Sequence, residues 1–284
     1  GVHDGLCLHE LKDRKVHQFI LMGTPEEDIF IDPEHLEERP DVLDDFELDF
    51  NAGSFQWLNH KAKLENLKKF TENTEITVMN PPRPGKPLLV LDLDHTLLDF
   101  SAKQLQNDQN RVPGLGLASS MKRPHMDHFL KTCYQYYDLV VWSQTSWRWL
   151  ETKLVELGML TNPNYRFCFV LDKTSMFTIV STKRDGSSVT HHVKPLQIIW
   201  SKFNCWNMHN TIHVDDLSRN FALNLENGLK CTAFHRKKSR NDAELLGLAT
   251  YLVQLANSGL EFDTVDLGQW QDVVKNETSL KRRK

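Results

Sequence analysis

Two aspartates one residue apart, Asp92 and Asp94, close the apolar run in KPLLVLDLDHTLLDF. By the period-2 alternation of a strand, their side chains can face the same way. Carboxylates so placed repel, and the pair is tolerated where a cation binds it or one member keeps its proton. A second acidic pair, Asp215 and Asp216, follows the run TIHV. Oxygen donors favour magnesium over zinc, so the two pairs together suggest a hard-cation site. Ser143 follows a third run, DLVVW, and Lys194 sits in HHVKPL. A carboxylate nucleophile, a neighbouring acid, a hydroxyl and an ammonium suit phosphoryl transfer, which depends on positioning and charge stabilisation. In that chemistry Asp92 attacks phosphorus to give a phosphoaspartyl intermediate, and Asp94 protonates the leaving alkoxide, then deprotonates the attacking water. Ser143 donates to a phosphate oxygen, helped by amides at the following helix start, and Lys194 balances charge on the equatorial oxygens. Thr96 holds the loop after the aspartates through a side-chain to backbone bond.

Taken singly, each residue has a plainer reading. An acidic pair after an apolar strand suits a turn. Ser143, Asp215 or Asp216 suit a helix N-cap, and Arg123 suits a partner for an acid at a helix start. His95 takes no catalytic role, and the pair His191-His192 lacks zinc-ligand spacing. Trp142, Trp147, Trp149 and Trp200 read as core and rim packing, because no basic groove accompanies them.

Something must bring these residues together. The runs 88–93, Asp138–Trp142 and 211–214 are continuously apolar, as in strands buried on both faces of a parallel sheet. Helical periodicity fills 124–137, with Pro124 suited to a first turn, and 146–157, closed by Gly158. Alternating strands and helices predict an α/β doubly wound sheet, whose reacting groups gather beyond the carboxyl ends of the strands. Asp185-Gly186, between TIVST and SSVTHHV, predicts a hairpin within 176–193. Leucine spacing predicts a closing helix over 241–256, and the tail TSLKRRK is expected to fray. HKAKLENLKKFTEN reads as a short helix, and PPRPGKP as rigid punctuation before the first strand.

The motifs together resemble a known family. LVLDLDHTL matches the DxDx[TV] motif of the haloacid-dehalogenase superfamily, with Ser143, Lys194 and Asp215-Asp216 at its second, third and fourth motifs. LLVLDLDHTLLD, MKRPHMDHFL, DLVVWSQTS and TIHVDDLSRNF are similar to phosphatases acting on the carboxy-terminal domain of RNA polymerase II, in particular those that carry a ubiquitin-like domain. DGLCLHELKDRKVHQFILMGT resembles the end of that ubiquitin-like domain, whose first part this chain lacks. The resemblance implies a mainly parallel sheet of haloacid-dehalogenase type with a small β-hairpin insertion and no large cap. It implies a nuclear protein serine/threonine phosphatase that uses Mg2+ and meets a proteasome subunit through the ubiquitin-like region. Asp92, Asp216 and the backbone carbonyl of Asp94 would hold the magnesium, with Thr96, Asp215, Arg123 and Asn220 supporting; spacing alone does not separate Asp215 from Asp216. The expected organisation is residues 1–24 as the ubiquitin-like remnant, 25–80 as acidic linker and short helix, 81–258 as phosphatase domain and 259–284 as C-terminal extension.

Bulk properties bound this reading. The 284 residues are 40% hydrophobic and 25% charged, ordinary for a folded domain with a smaller appendage. A net charge of -4 supplies no global basic field for nucleic acid. Five scattered cysteines form no CxxC pair, consistent with a reducing compartment, and the sequence contains no apolar run of the roughly 20 residues a membrane helix needs. Twelve acidic residues against Arg39 in residues 26–49 read as a linker, and KRRK at the terminus as a solvated tail or a nuclear import patch. About fifty residues separate Asp94 from Ser143, too few for a large lid, so the site is open and favours a phosphoprotein over a metabolite. Two rival functions remain: a small-molecule phosphatase of the same superfamily, and an inactive phosphopeptide-binding proteasome adaptor.

Overall fold

The computed structural model describes residues 61–99, 121–236 and 241–281. The ubiquitin-like remnant, the acidic stretch 26–49 and residues 282–284 lie outside them. Five parallel strands form the central sheet in the order β3-β2-β1-β6-β7: β1 (Leu88–Leu91), β2 (Asp138–Trp142), β3 (Phe167–Leu171), β6 (Thr211–Asp215) and β7 (Gly228–Lys230). Every residue of β1, β2 and β6 is buried, which is why these strands read as unbroken apolar runs. The pleat sends alternate side chains to opposite faces. Leu89, Leu91, Leu139, Val141, Ile212 and Val214 share one core with helices α2 (Met126–Tyr134), α3 (Trp147–Glu156) and α5 (Glu244–Asn257). On the other face Leu88, Val90, Val140 and Trp142 pack with Ile198 and Ile199 of α4 (Gln197–Lys202) and with Phe70 of α1 (Lys61–Asn73). The result is a doubly wound, parallel sheet with helices on both faces.

The hairpin is β4 (Phe177–Thr182) with β5 (Ser188–Val193), turning at Gly186, whose φ of 83° is open to glycine at little steric cost. Among the described residues this hairpin is the one addition to the sheet, and no cap domain covers the carboxyl edge. No described helix is long and apolar enough to cross a membrane.

Several boundaries differ from the sequence expectation, each for a local reason. The first strand stops at Leu91, because the amides of Leu97 and Leu98 both reach back to the Leu93 carbonyl, at 2.9 and 3.1 Å. Pro124 does not open α2; His125 stands at its N-cap with a left-handed φ of 68°, and the helix begins afterwards. The tail expected to fray is helical to Lys281 in α6 (Trp270–Lys281). Its first residue, Trp270, is buried and donates from Nε1 to the Lys230 carbonyl at 3.0 Å, anchoring the helix to β7.

Strand order positions the site. β1 lies between β2 and β6, and the chain leaves them toward opposite faces of the sheet, so a crevice opens beyond their carboxyl ends. Asp92, Ser143 and Asp216 are the residues that immediately follow these strands.

Candidate active site

The floor of the crevice is an ion triplet nearly closed to water. Lys194, the residue after β5, donates from Nζ to Asp92 Oδ1 at 2.5 Å and to Asp215 Oδ2 at 2.6 Å. The Lys194 and Asp215 side chains are wholly buried and that of Asp92 is 4% exposed. Burial works against the Lys194 charge, but Asp215 and Asp92 outweigh it and hold the ammonium above its ordinary range.

The two acids respond in opposite directions to their shared lysine. Burial opposes ionisation of Asp215, yet Lys194 and His213 hold its carboxyl far below the usual range. Asp215 also accepts the Leu217 amide at 2.9 Å and Asn220 Nδ2 at 2.8 Å, which saturates the carboxylate. Asp92 is pushed well up, by burial first and then by Asp215, with Asp216 and Asp94 adding to it against Lys194. A buried carboxylate crowded by three others gains from a further cation.

Carboxylate oxygens of Asp92, Asp215 and Asp216 lie within 4.8 Å of one another. Asp215 is held by donors of its own, Lys194, Leu217 and Asn220. The donor set is all oxygen, which fits a hard divalent cation such as magnesium. Asp216 accepts the Thr96 hydroxyl at 3.4 Å. Thr96 therefore steadies the loop through a carboxylate 120 residues away, not through the local backbone bond expected of it.

Asp94 faces a different environment. Its side chain is 25% exposed, with Lys153 Nζ 2.5 Å from Oδ1 and the Ser143 hydroxyl 3.3 Å from Oδ2. Ser143 Oγ accepts the Thr145 amide at 3.1 Å and pairs with the Thr145 hydroxyl at 2.8 Å. The N-cap reading of Ser143 fails: the cap of α3 is Ser146, and Ser143 sits three residues ahead of it, buried at the end of β2.

Arg123 stands behind the site. Its guanidinium binds Asp242 and Glu244 at the start of α5 and the carbonyls of Thr96 and Thr232. The expectation of an acid at a helix start holds, but the helix is α5, more than a hundred residues away, and not α2 beside it.

A family model, "NLI interacting factor-like phosphatase", matches residues 87–264. The Danio rerio protein named ubiquitin-like domain-containing CTD phosphatase 1 is 34% identical over 94% of this chain and 80% of its own length. The Homo sapiens protein of that name is 35% identical over 88% of this chain and 74% of its own. This chain belongs to the NLI interacting factor-like phosphatase family. It is a protein phosphatase. A solved structure titled "The Structure of Fcp1, an essential RNA polymerase II CTD phosphatase" aligns at a TM-score of 0.36 and 14% identity, covering 75% of this chain and 56% of that one. That likeness is too weak to bear on the site.

Sequence reasoning missed Lys153. Its side chain is fully buried against Asp94, yet it lies on the same face of α3 as Leu150, Leu154 and Leu157. A lysine within the apolar stripe of an amphipathic helix was the available signal, since such a residue needs a buried counter-charge. Thr145 had no such signal; its hydroxyl matters only because the chain turns back over Ser143.

Proposed function

We propose that this phosphatase is a magnesium-dependent protein serine/threonine phosphatase that works through an aspartyl-phosphate at Asp92. The observation that carries this reading is the buried Lys194 bridge from Asp92 to Asp215, with Asp216 beside it, at the switch point of the sheet. In the first step a carboxylate oxygen of Asp92 bonds to phosphorus, the bond from phosphorus to the substrate oxygen breaks, and Asp94 gives the leaving alkoxide its proton. In the second, water attacks phosphorus, Asp94 takes the water proton, and the bond to Asp92 breaks to release inorganic phosphate. Lys194 works against the upward push that burial and the neighbouring carboxylates exert on Asp92, and it offsets charge on the transferring oxygens. Ser143 offers its hydroxyl to a phosphate oxygen. Asp92, Asp216 and the Asp94 carbonyl would hold Mg2+, which when bound neutralises charge on the phosphoryl oxygens. Asp215, Asn220, Thr96 and Arg123 hold these groups in position.

Among the described residues the carboxyl edge carries no cap domain, which favours a phosphorylated segment of protein, and β5 runs directly into Lys194, so the β4–β5 hairpin is the proposed substrate-facing wall. The relatives are named CTD phosphatases; with the sequence resemblance beside that name, we assign the substrates to phosphosites of the RNA polymerase II carboxy-terminal domain, of the proteasome, or both, and the location to the nucleus. Within this reading residues 1–24 end a ubiquitin-like domain that meets a proteasome subunit, 25–80 link it to the catalytic unit at 81–258, and 259–284 extend that unit.

The test is phosphate release from polymerase-tail and proteasome-subunit phosphopeptides, with Mg2+ and with EDTA, by wild type, Asp92→Asn and Asp94→Asn. Loss of about 10²-fold or more in each variant, at unchanged circular dichroism, is the expected outcome. Turnover retained in both variants sinks the assignment. Faster turnover on a metabolite panel promotes the small-molecule reading; phosphopeptide binding without release under either condition promotes the adaptor.

A further inference from the structure

A second cluster of metal-binding side chains lies on the far side of the loop that carries Asp94. His95, Asp99 and His235 each bring one ligand atom within 4.8 Å of the other two, with His95 and Asp99 buried and His235 half-buried. The loop is turned to permit this: His95 adopts a left-handed φ of 61° and its amide donates to the Leu98 carbonyl at 2.7 Å. The Phe234 amide then donates to the His95 carbonyl at 2.6 Å, which sets His235 beside it. The two imidazole rings stand 4.8 Å apart, centroid to centroid.

The hydrogen bonds around the cluster prepare its donors. His95 Nδ1 lies 2.8 Å from the Phe234 carbonyl. A carbonyl can only accept, so Nδ1 carries the hydrogen and the lone pair is on Nε2. Asp99 Oδ2 accepts the Arg236 amide at 3.0 Å, which orients the carboxylate. An imidazole fixed by a backbone carbonyl, next to an oriented carboxylate, is the usual outer support of a metal ligand.

We propose that His95, Asp99 and His235 form a transition-metal site of the zinc class, separate from the oxygen-only set of Asp92 and Asp216. Two imidazole nitrogens and one carboxylate oxygen, with a fourth position left to water, are a donor set that takes Zn2+ and not Mg2+. Zinc bonds of about 2.0–2.2 Å put ligand atoms roughly 3.4 Å apart around a tetrahedral ion, so His235, the most exposed of the three, swings inward by about an ångström. The ion ties the loop 93–99 to residues 234–236. That loop also holds Asp94 and Thr96, so zinc here stiffens the acid/base side of the crevice from behind.

The test is zinc retention by the full chain in excess Mg2+, with metal content read after gel filtration and Co2+ absorption read as a coordination probe. Wild type should keep one zinc and show the visible bands of tetrahedral Co2+. His95→Gln and His235→Gln should weaken retention at least about tenfold and lose the bands, whereas Asp216→Asn should keep both. His235 is partly exposed, so its variant tests binding without disturbing the core; melting curves of each metal-free variant check this. No zinc on wild type, or unchanged retention in both histidine variants, overturns the site and leaves an ion pair among the three side chains only. Loss in Asp216→Asn alone assigns the zinc to the catalytic set and also overturns it.

Discussion

Replacing Arg123 by methionine should cost the fold about 3–5 kcal/mol, the usual penalty for removing one partner of a buried ion pair. The Arg123 side chain is fully buried, and its partners Asp242 and Glu244 are 10% and 16% exposed. All five N–H groups are used. Nε and Nη2 grip Asp242 at 3.1 and 2.9 Å, Nη2 also reaches Glu244 at 3.1 Å, and Nη1 serves the Thr96 and Thr232 carbonyls at 3.1 and 3.0 Å. Burial works against the guanidinium charge, but the Asp242 bond and the surrounding acids more than offset it. Methionine fills the volume and leaves two carboxylates in a nearly dry niche. Lysine keeps the charge with three donors and no planar fork, so Arg123→Lys should restore about half of the loss. Thermal unfolding converts these into a fall of roughly 6–20 °C for methionine, at about 2–4 °C per kcal/mol for a domain of this size. Adding Asp242→Asn and Glu244→Gln to Arg123→Met should recover stability, because the stranded charges then go too. A loss below about 1 kcal/mol in Arg123→Met, or no recovery in the triple variant, would refute the clamp.

The remaining predictions concern charge. Lys153→Met should lower kcat by about 10–100-fold, with Lys153→Arg restoring most of it; a pure packing role would lower stability and leave kcat in place. In β5, His191 accepts the Ser181 hydroxyl at Nε2, 2.8 Å away, and burial lowers its affinity for a proton. Below about pH 6.5 the unfolded chain therefore binds a proton that the folded chain refuses, and stability falls as pH falls. His191→Gln should show a shallower decline than wild type in denaturant unfolding at pH 7.5, 6.5 and 5.5, and an equal slope would remove His191 from the account. Magnesium at a hundred times its Kd should raise stability by about 2.7 kcal/mol, read as a thermal shift that Asp216→Asn abolishes; an undiminished shift in that variant would assign the ion elsewhere.

Much of the fold was legible in the sequence because its signals are local. Strands buried on both faces announce themselves as unbroken apolar runs, so β2 was readable to the residue and β6 to within one. The Asp185-Gly186 turn was readable because a positive φ at glycine needs no distant support. Elements held by remote contacts escaped: β7 is three residues long, and α6 begins at Trp270, which is anchored to β7 forty residues earlier.

Residue type and spacing by themselves determined that Asp92, Asp94, Ser143, Asp215 and Asp216 stand at the ends of strands, on one edge of a parallel sheet, whereas Lys194 stood out from the other lysines only through the family resemblance. They did not determine who pairs with whom. That Lys194 bridges Asp92 and Asp215 and that Lys153 faces Asp94 depend on contacts spanning 21 to 102 residues of chain. Propensity and periodicity act over a few residues, whereas a buried charge takes whichever partner the strand order folds against it. Only the tertiary structure decides that.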